Sequence, residues 1–252
     1  HDGLRSALAY AGGHRRPGVP PDNTMNPTYV FDAYGTLFDV HSAVARHADL
    51  VGPEADAVSA LWRARQLEYS WIHGACGHYA DFQTLTERAL RYALAAHGLA
   101  VGTAVEKALL EAYATLSAYP EVPAVLAGLK AAGARIAILS NATPGMLEQA
   151  VAAAGLEGIP HAVLSVDAVR RYKPDPAVYA LVCQHFDVPA GSVRFQSSNA
   201  WDIAGASACG LQTAWINRSG LPLCARLRKN DFIDILWGLP SQQRCRAACI
   251  VD

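Results

Sequence analysis

Four stretches of this 252-residue chain place polar side chains directly after apolar, β-branched runs. Asp32 follows Thr28-Tyr29-Val30-Phe31, and Ser140 and Asn141 follow the run from Arg135 to Leu139. Lys173 lies in the segment after the run from His161 to Val166, and Ser197, Ser198, Asn199 and Asp202 follow the run from Val193 to Gln196. Ligands of an open parallel sheet bind beyond the carboxyl ends of its strands, so these four segments are predicted to meet in one crevice. Gly35 tolerates the dihedrals of a sharp loop after Asp32, and the Thr36 hydroxyl can hydrogen-bond a carboxylate and fix its rotamer. A carboxylate so held, with the Lys173 cation beside it, can attack carbon. Taken alone, Asp-x-x-Gly-Thr reads more readily as a turn aspartate capping its own loop; the other strand-end residues favour the nucleophile.

The elements that must position these residues alternate. After the first strand, residues from about Val44 to Leu116 are Ala-, Leu- and Arg-rich with helical periodicity, as in Ala57 to Ile72 and Leu85 to His97, and predict a helical insertion. A helix from Val122 to Ala132 and the strand from Arg135 come next, then Thr143-Pro144 as N-cap and first-turn proline of a helix ending at Gly155. Asp175-Pro176 opens a helix through Phe186, Ala200 to Cys209 forms one stopped by Gly210, and Gln212 to Ile216 is a last strand. Five strands joined by crossover helices predict an α/β fold with a Rossmann-like parallel-sheet core. The expected organisation is a leader or appended segment at 1–25, a core formed by 26–42 and 119–222, a helical unit at 43–118 and an atypical tail at 223–252.

Composition narrows the partners. The chain is 52% hydrophobic and 17% charged with a formal charge of −1, so it offers no basic field for nucleic acid. No apolar run reaches the roughly 18 to 20 residues of a membrane span. Six cysteines spread thinly, without zinc-site spacing, predict reduced thiols in the cytoplasm. His41, His47, His73 and His78 lack metal-ligand spacing, and Trp62, Tyr69 and Trp71 at helical spacing read as core or subunit contact.

Phe31-Asp32-Ala33-Tyr34-Gly35-Thr36-Leu37, Leu139-Ser140-Asn141, Tyr172-Lys173-Pro174-Asp175 and Ser197-Ser198-Asn199-Ala200-Trp201-Asp202 resemble, in order and spacing, the four motifs of the haloacid dehalogenase superfamily. The implied fold is a Rossmann-like core with a helical cap. A magnesium-dependent phosphatase of that superfamily needs an aspartate two positions after the nucleophile and further acids in the fourth motif. Tyr34 and Ser198 stand at those positions instead. The segments Asp32 to Ser42, Ser59 to Arg63 and Gln66 to Tyr69, with Trp215-Ile216-Asn217-Arg218, make the chain similar to the (S)-2-haloacid dehalogenases from about Tyr29 to Gly220.

That resemblance implies hydrolytic dehalogenation of short (S)-2-haloalkanoic acids to (R)-2-hydroxy acids through an aspartyl ester, with no cofactor or metal. Asp32 would be the nucleophile, oriented by Thr36 and Ser197; Asp202 would activate water, with Lys173 and Asn199 holding it and the nucleophile. Lys173 and Ser140 would meet the substrate carboxylate, and Arg63 and Asn141 the halide. Arg63 and Leu67 share a helix face and, with Tyr34, Phe82 and Trp201, could form an apolar pocket. Tyr179 reads as a core aromatic by pattern and as a site tyrosine by resemblance. The family also implies a homodimer built through the helical insertion. Two readings remain as alternatives: the phosphatase, and a non-catalytic binding descendant. After about Leu221 the likeness fails; a tail of altered reading frame, carrying Cys224, Cys245 and Cys249, is the expectation there.

Overall fold

The computed structural model describes residues 27–100, 104–222 and 233–234. The expectations for residues 1–25 and for the tail, apart from 233–234, lie outside the described residues.

The chain opens with strand β1 (Thr28–Phe31), then five helices, α1 (Ser42–Ala45), α2 (Ala48–Val51), α3 (Ala55–Cys76), α4 (Phe82–Ala96) and α5 (Ala104–Ala114). Alternation follows: α6 (Val122–Ala131), β2 (Arg135–Ser140), α7 (Pro144–Ala153), β3 (Ala162–Ser165), α8 (Pro176–Phe186), β4 (Val193–Ser197), α9 (Ala200–Ala208) and β5 (Gln212–Trp215). A two-residue strand, β6 (Ile233–Asp234), completes a sheet of order β3-β2-β1-β4-β5-β6, with every pairing parallel.

Strand β1 lies between β2 and β4, with Phe31 opposite Ile138 on one side and Gln196 on the other. Chain order runs outward from β1 through β2 to β3 in one direction and through β4 to β5 in the other, so the sheet's switch point falls beside β1. Asp32, the first residue past β1, therefore stands where such sheets open a crevice. The central strands are apolar on both faces: Val30, Ile136, Ala137, Ile138, Leu139 and Phe195 are all buried completely. That pattern belongs to a parallel sheet covered by helices on both sides.

The helix starts follow capping chemistry. Thr143 Oγ1 accepts from the Met146 amide at 3.3 Å and Asp175 Oδ1 from the Ala177 amide at 2.9 Å, each with proline in the first turn. Helix α4 begins three residues before the expected Leu85, because Asp81 Oδ1 accepts from the Thr84 amide at 2.8 Å. Helix α3 starts two residues before its expected bound at Ala57 and runs four residues, about one turn, beyond Ile72. These two helices pack face to face, burying Val58, Trp62, Leu85, Ala89, Leu90, Ala93 and Leu94. Each large apolar side chain so buried contributes roughly 1.5–3 kcal/mol.

The sixth strand departs from the five expected. Two residues give no alternation to read; the open edge of β5 accepts them, with Ala214 opposite Ile233 and Trp215 opposite Asp234.

Candidate active site

Asp32 sits at the floor of the crevice, its side chain 9% exposed, and its two oxygens have unequal company. Oδ2 accepts from Thr36 Oγ1 at 2.8 Å, Asn199 Nδ2 at 2.9 Å and Ser197 Oγ at 3.4 Å. Oδ1 accepts from Lys173 Nζ at 3.0 Å. The loop that sets this geometry turns at Gly35, whose φ of +90° suits glycine. A Cβ there would stand 3.4 Å from Ser198 Oγ and 4.0 Å from Arg63 Nη2. Thr36 is fixed from both ends: its Oγ1 accepts from the Ser198 amide at 2.9 Å, and its carbonyl from Arg218 Nη2 at 2.7 Å.

Lys173 is buried between two carboxylates, with Nζ 3.0 Å from Asp32 Oδ1 and 2.8 Å from Asp202 Oδ2. Burial pushes its ammonium pKa down, but Asp202 and Asp32 together outweigh this and the net shift is upward, so the lysine stays charged. Asp202 is fully buried on α9, and its Oδ1 accepts from Tyr179 Oη at 2.8 Å. Its pKa is raised to about 6: burial raises it most, the Lys173 ammonium pulls it back, and the Asp32 charge raises it again. Tyr179 is thus both things its sequence position suggested, a buried core aromatic and a partner of the acidic pair. Burial, with Asp202 next, drives its phenol pKa far up, so it acts as a donor.

Above Asp32 a pocket is lined by Tyr34, Arg63, Leu67, Phe82, Ser140, Asn141, Asn199 and Trp201. Arg63 and Leu67 do share one face of α3. Arg63 Nη2 donates to the Tyr34 carbonyl at 3.0 Å, and Asn141 Oδ1 accepts from the Lys173 amide at 3.0 Å, which leaves the Asn141 Nδ2 group for the pocket. The Tyr34 hydroxyl is buried without a hydrogen-bond partner, and burial raises its pKa. Every expected site residue is therefore in or against this crevice. Lys173, Thr36, Ser197, Asp202 and Tyr179 form its support, whereas the remaining nine residues line the pocket or its floor. Lys173 meets both carboxylates and is not among the residues lining the pocket.

Three contributors were not legible as site residues. Trp71, read as core or subunit contact, is 41% exposed and packs edge-to-face on Trp201 with ring centroids 5.4 Å apart. Arg218 buttresses the loop after Asp32 and lies 3.6 Å over the Tyr119 ring. Gly205 on α9 allows Pro174 and Tyr179 to approach: a Cβ there would fall 2.5 Å from Pro174 Cβ and 2.6 Å from Tyr179 Oη. Trp62, by contrast, is core, its Nε1 donating to the Thr86 carbonyl at 2.9 Å.

A divalent cation fits this donor set poorly. The Lys173 ammonium occupies the space between the two carboxylates, and Ser198 Oγ donates to the Gly35 carbonyl at 2.7 Å. Among the described residues, no group of three His, Cys, Asp or Glu could hold a metal, and no helix is long and apolar enough to cross a membrane. His41 Nδ1 pairs with Ser59 Oγ and His73 Nδ1 with the His78 carbonyl.

A lysine-clamped carboxylate thus stands at the strand-end switch point of this α/β fold, facing a small pocket with one arginine. The profile of the haloacid dehalogenase-like hydrolases matches residues 27–210. Over 193 residues, 77% of this chain and 85% of the relative, it is 50% identical to (S)-2-haloacid dehalogenase 1 of Pseudomonas sp. (strain CBS-3). A dehalogenase crystal structure with an intermediate complex superposes with a TM-score of 0.80 at 45% identity, covering 82% of this chain and 92% of that one. The L-2-haloacid dehalogenase of Xanthobacter autotrophicus with covalently bound chloropropionic acid gives 0.72 at 41% identity, covering 77% and 78%. The chain belongs to the haloacid dehalogenase-like hydrolases and, within them, to the (S)-2-haloacid dehalogenases.

Proposed function

We propose that the chain hydrolyses short (S)-2-haloalkanoic acids to (R)-2-hydroxyalkanoic acids through an ester on Asp32, without a metal. The unequal hydrogen bonding of the two Asp32 oxygens carries this reading. Oδ2 holds three donors, whereas Oδ1 meets Lys173 alone and keeps a lone pair for attack. Oδ1 displaces the halide from C2, forming the C–O bond opposite the breaking C–X bond, so the centre inverts. Halide leaves with the bonding pair toward Arg63 and the Asn141 Nδ2 group. Ser140 supplies a hydroxyl for the substrate carboxylate, and Tyr34, Leu67, Phe82 and Trp201 enclose the alkyl group.

Water then attacks Asp32 Cγ. The negative charge that develops on Oδ2 falls on the same three donors, Thr36, Ser197 and Asn199, which serve as an oxyanion site without moving. Asp202, with a pKa near 6, takes the water proton at neutral pH. Collapse of the tetrahedral species breaks the Cγ–Oδ1 bond. The alkoxide takes the proton of the re-formed Asp32 carboxyl group and leaves as the hydroxy acid, Asp202 releases its proton to solvent, and one oxygen of Asp32 now derives from water. We also propose the division into a core of 26–42 and 119–222 and a helical cap of 43–118, with Trp71 and Trp201 meeting across it. The cytoplasm is the expected site: Cys76, Cys183 and Cys209 are free thiols. Homodimerisation through the cap fits the exposure of Leu50, Ile72 and Tyr92 on its helices.

The test is halide release from (S)- and (R)-2-chloropropionate in excess chelator, followed by a single turnover in heavy-oxygen water. Release from the (S) substrate alone, with label entering Asp32, is expected. Label passing straight to product, or chelator-sensitive release of phosphate from phosphoesters in place of halide, would overturn it.

A further inference from the structure

We infer that Gln66 is a positioning residue that fixes the Arg63 guanidinium for the departing halide, with Thr86 and Tyr113 fixing Gln66 in turn. This rests on the role given to Arg63 under the proposed function. Gln66 lies three residues beyond Arg63 on α3, is 1% exposed, and does not line the pocket. Its Oε1 accepts from Arg63 Nη1 at 2.8 Å, while Arg63 Nη2 donates to the Tyr34 carbonyl at 3.0 Å. Anchors on both terminal nitrogens lock the rotation of a planar group whose fork carries five N–H donors in all.

The network also decides which way the Gln66 amide points. Thr86 Oγ1 lies 2.7 Å from the Phe82 carbonyl, which can only accept, so the single hydroxyl proton of Thr86 is spent there. Thr86 Oγ1, 2.6 Å from Gln66 Nε2, must then accept from it. Tyr113 Oη, fully buried and with its pKa raised by that burial, accepts a second N–H from Nε2 at 2.9 Å and lies 3.1 Å from Oε1. The nitrogen is thereby directed at Thr86 and Tyr113, and the oxygen at Arg63. Three helices, α3, α4 and α5, meet at this one amide. Packing alone could be met by an apolar side chain of the same volume; a fully satisfied polar network at this depth adds a fixed orientation, and Arg63 is the only member that faces the pocket.

A poorer leaving group depends more on a fixed donor, so leaving-group preference reads the position of Arg63. The experiment compares kcat/KM, which reports the first irreversible step, for (S)-2-chloro- and (S)-2-bromopropionate. Gln66→Met keeps length and volume and removes the acceptor. It is expected to lower kcat/KM for chloride by about 10–100-fold, and the chloride-to-bromide ratio by about tenfold, with a thermal melt confirming the fold. Gln66→Glu keeps an oxygen on Arg63 but adds negative charge near an anionic substrate. It is expected to raise KM for both substrates while holding the ratio within about threefold. Thr86→Val, which frees the amide to turn, is expected to lower the ratio less than Gln66→Met does, and supplies the same readout should the methionine variant not fold. A folded Gln66→Met or Thr86→Val with the wild-type ratio, or Gln66→Glu falling together with Gln66→Met, overturns the positioning role. Wild-type protein that releases neither halide overturns the proposed function itself, and this inference with it.

Discussion

One methyl group at Gly205 tests whether the support behind the nucleophile is as tight as its geometry requires. An added Cβ would sit 2.5 Å from Pro174 Cβ, 2.6 Å from Tyr179 Oη and 3.1 Å from Tyr179 Cε2, about 1 Å inside contact distance for the first of these. Pro174 follows the lysine that clamps both carboxylates, and the Tyr179 hydroxyl is the one bonded to Asp202 Oδ1. Overpacking costs about 1–3 kcal/mol, and loss of a hydrogen bond to a charged group about 1.5–3 kcal/mol. Against these stands a gain of about 1 kcal/mol from replacing a helical glycine with alanine. The net expectation for Gly205→Ala is a loss of about 2–4 kcal/mol, or a Tm lower by roughly 5–15 °C for a chain of this size. A fall in kcat of tenfold or more should accompany it, because a displacement of about 1 Å near the chemistry has that scale. Gly128→Ala is the control: it too is a helical glycine, but nothing lies within 4 Å of its Cβ position, so the same methyl should stabilise by about 0.5–1 kcal/mol and leave activity alone. Thermal melts and steady-state halide release measure both. Equal Tm shifts of the two variants, or a Gly205→Ala enzyme with unchanged kcat, would refute the claim that the close approach of α8 and α9 sets the Lys173–Asp202 geometry.

Three further outcomes follow from the same site. The rate of ester hydrolysis should fall as pH drops through about 6, where Asp202 takes up its proton. Its folded pKa lies above the unfolded value of about 3.9, so its contribution to stability is fully present below that value and is lost as pH rises through about 6. Melting at pH 5 should therefore show no loss of fold from this group where activity has already declined, and parallel loss of both would refute the assignment. Tyr179→Phe removes a donor that holds the Asp202 pKa down, so the acidic limb of the pH–rate profile should move upward; a limb that stays in place would detach Tyr179 from Asp202. Trp71→Ala removes an edge-to-face pair worth about 0.5–1.5 kcal/mol, and should raise KM for (S)-2-chloropropionate a few-fold with little change in kcat. An unchanged KM would leave Trp71 outside the pocket mouth.

What the sequence made legible depended on how locally each constraint is written. Asp32, Gly35 and Thr36 announce their geometry within five residues, and Thr143-Pro144 and Asp175-Pro176 announce helix starts within two. The parallel core followed from the alternation of strand and helix segments, because β1 to β5 each carry a β-branched or aromatic run bounded by turn residues. The cap of α4, Asp81, precedes the apolar periodicity by a turn, so that periodicity alone shows the helix starting late. The requirement for glycine at 205 is different in kind. It comes from Pro174 and Tyr179, 31 and 26 positions upstream, and no property of α9 taken alone distinguishes that glycine from Gly128 in α6. Trp71 likewise has the spacing of a core residue and acquires its role only when α9 brings Trp201 against it.

Lys173 shows how the missing information changes the chemistry and not only the map. On sequence it is a cation expected both to hold Asp32 and Asp202 and to meet the substrate carboxylate. Its burial places it 3.0 Å from Asp32 and 2.8 Å from Asp202. Burial raises the Asp202 pKa most, and the Lys173 ammonium 2.8 Å from Asp202 Oδ2 pulls it back. Asp32 lines the pocket, whereas Asp202 is fully buried with one oxygen on Lys173 and the other on Tyr179. Under the proposed mechanism Ser140 meets the substrate carboxylate from the pocket lining, while Lys173 holds Asp32 and Asp202 from outside that lining.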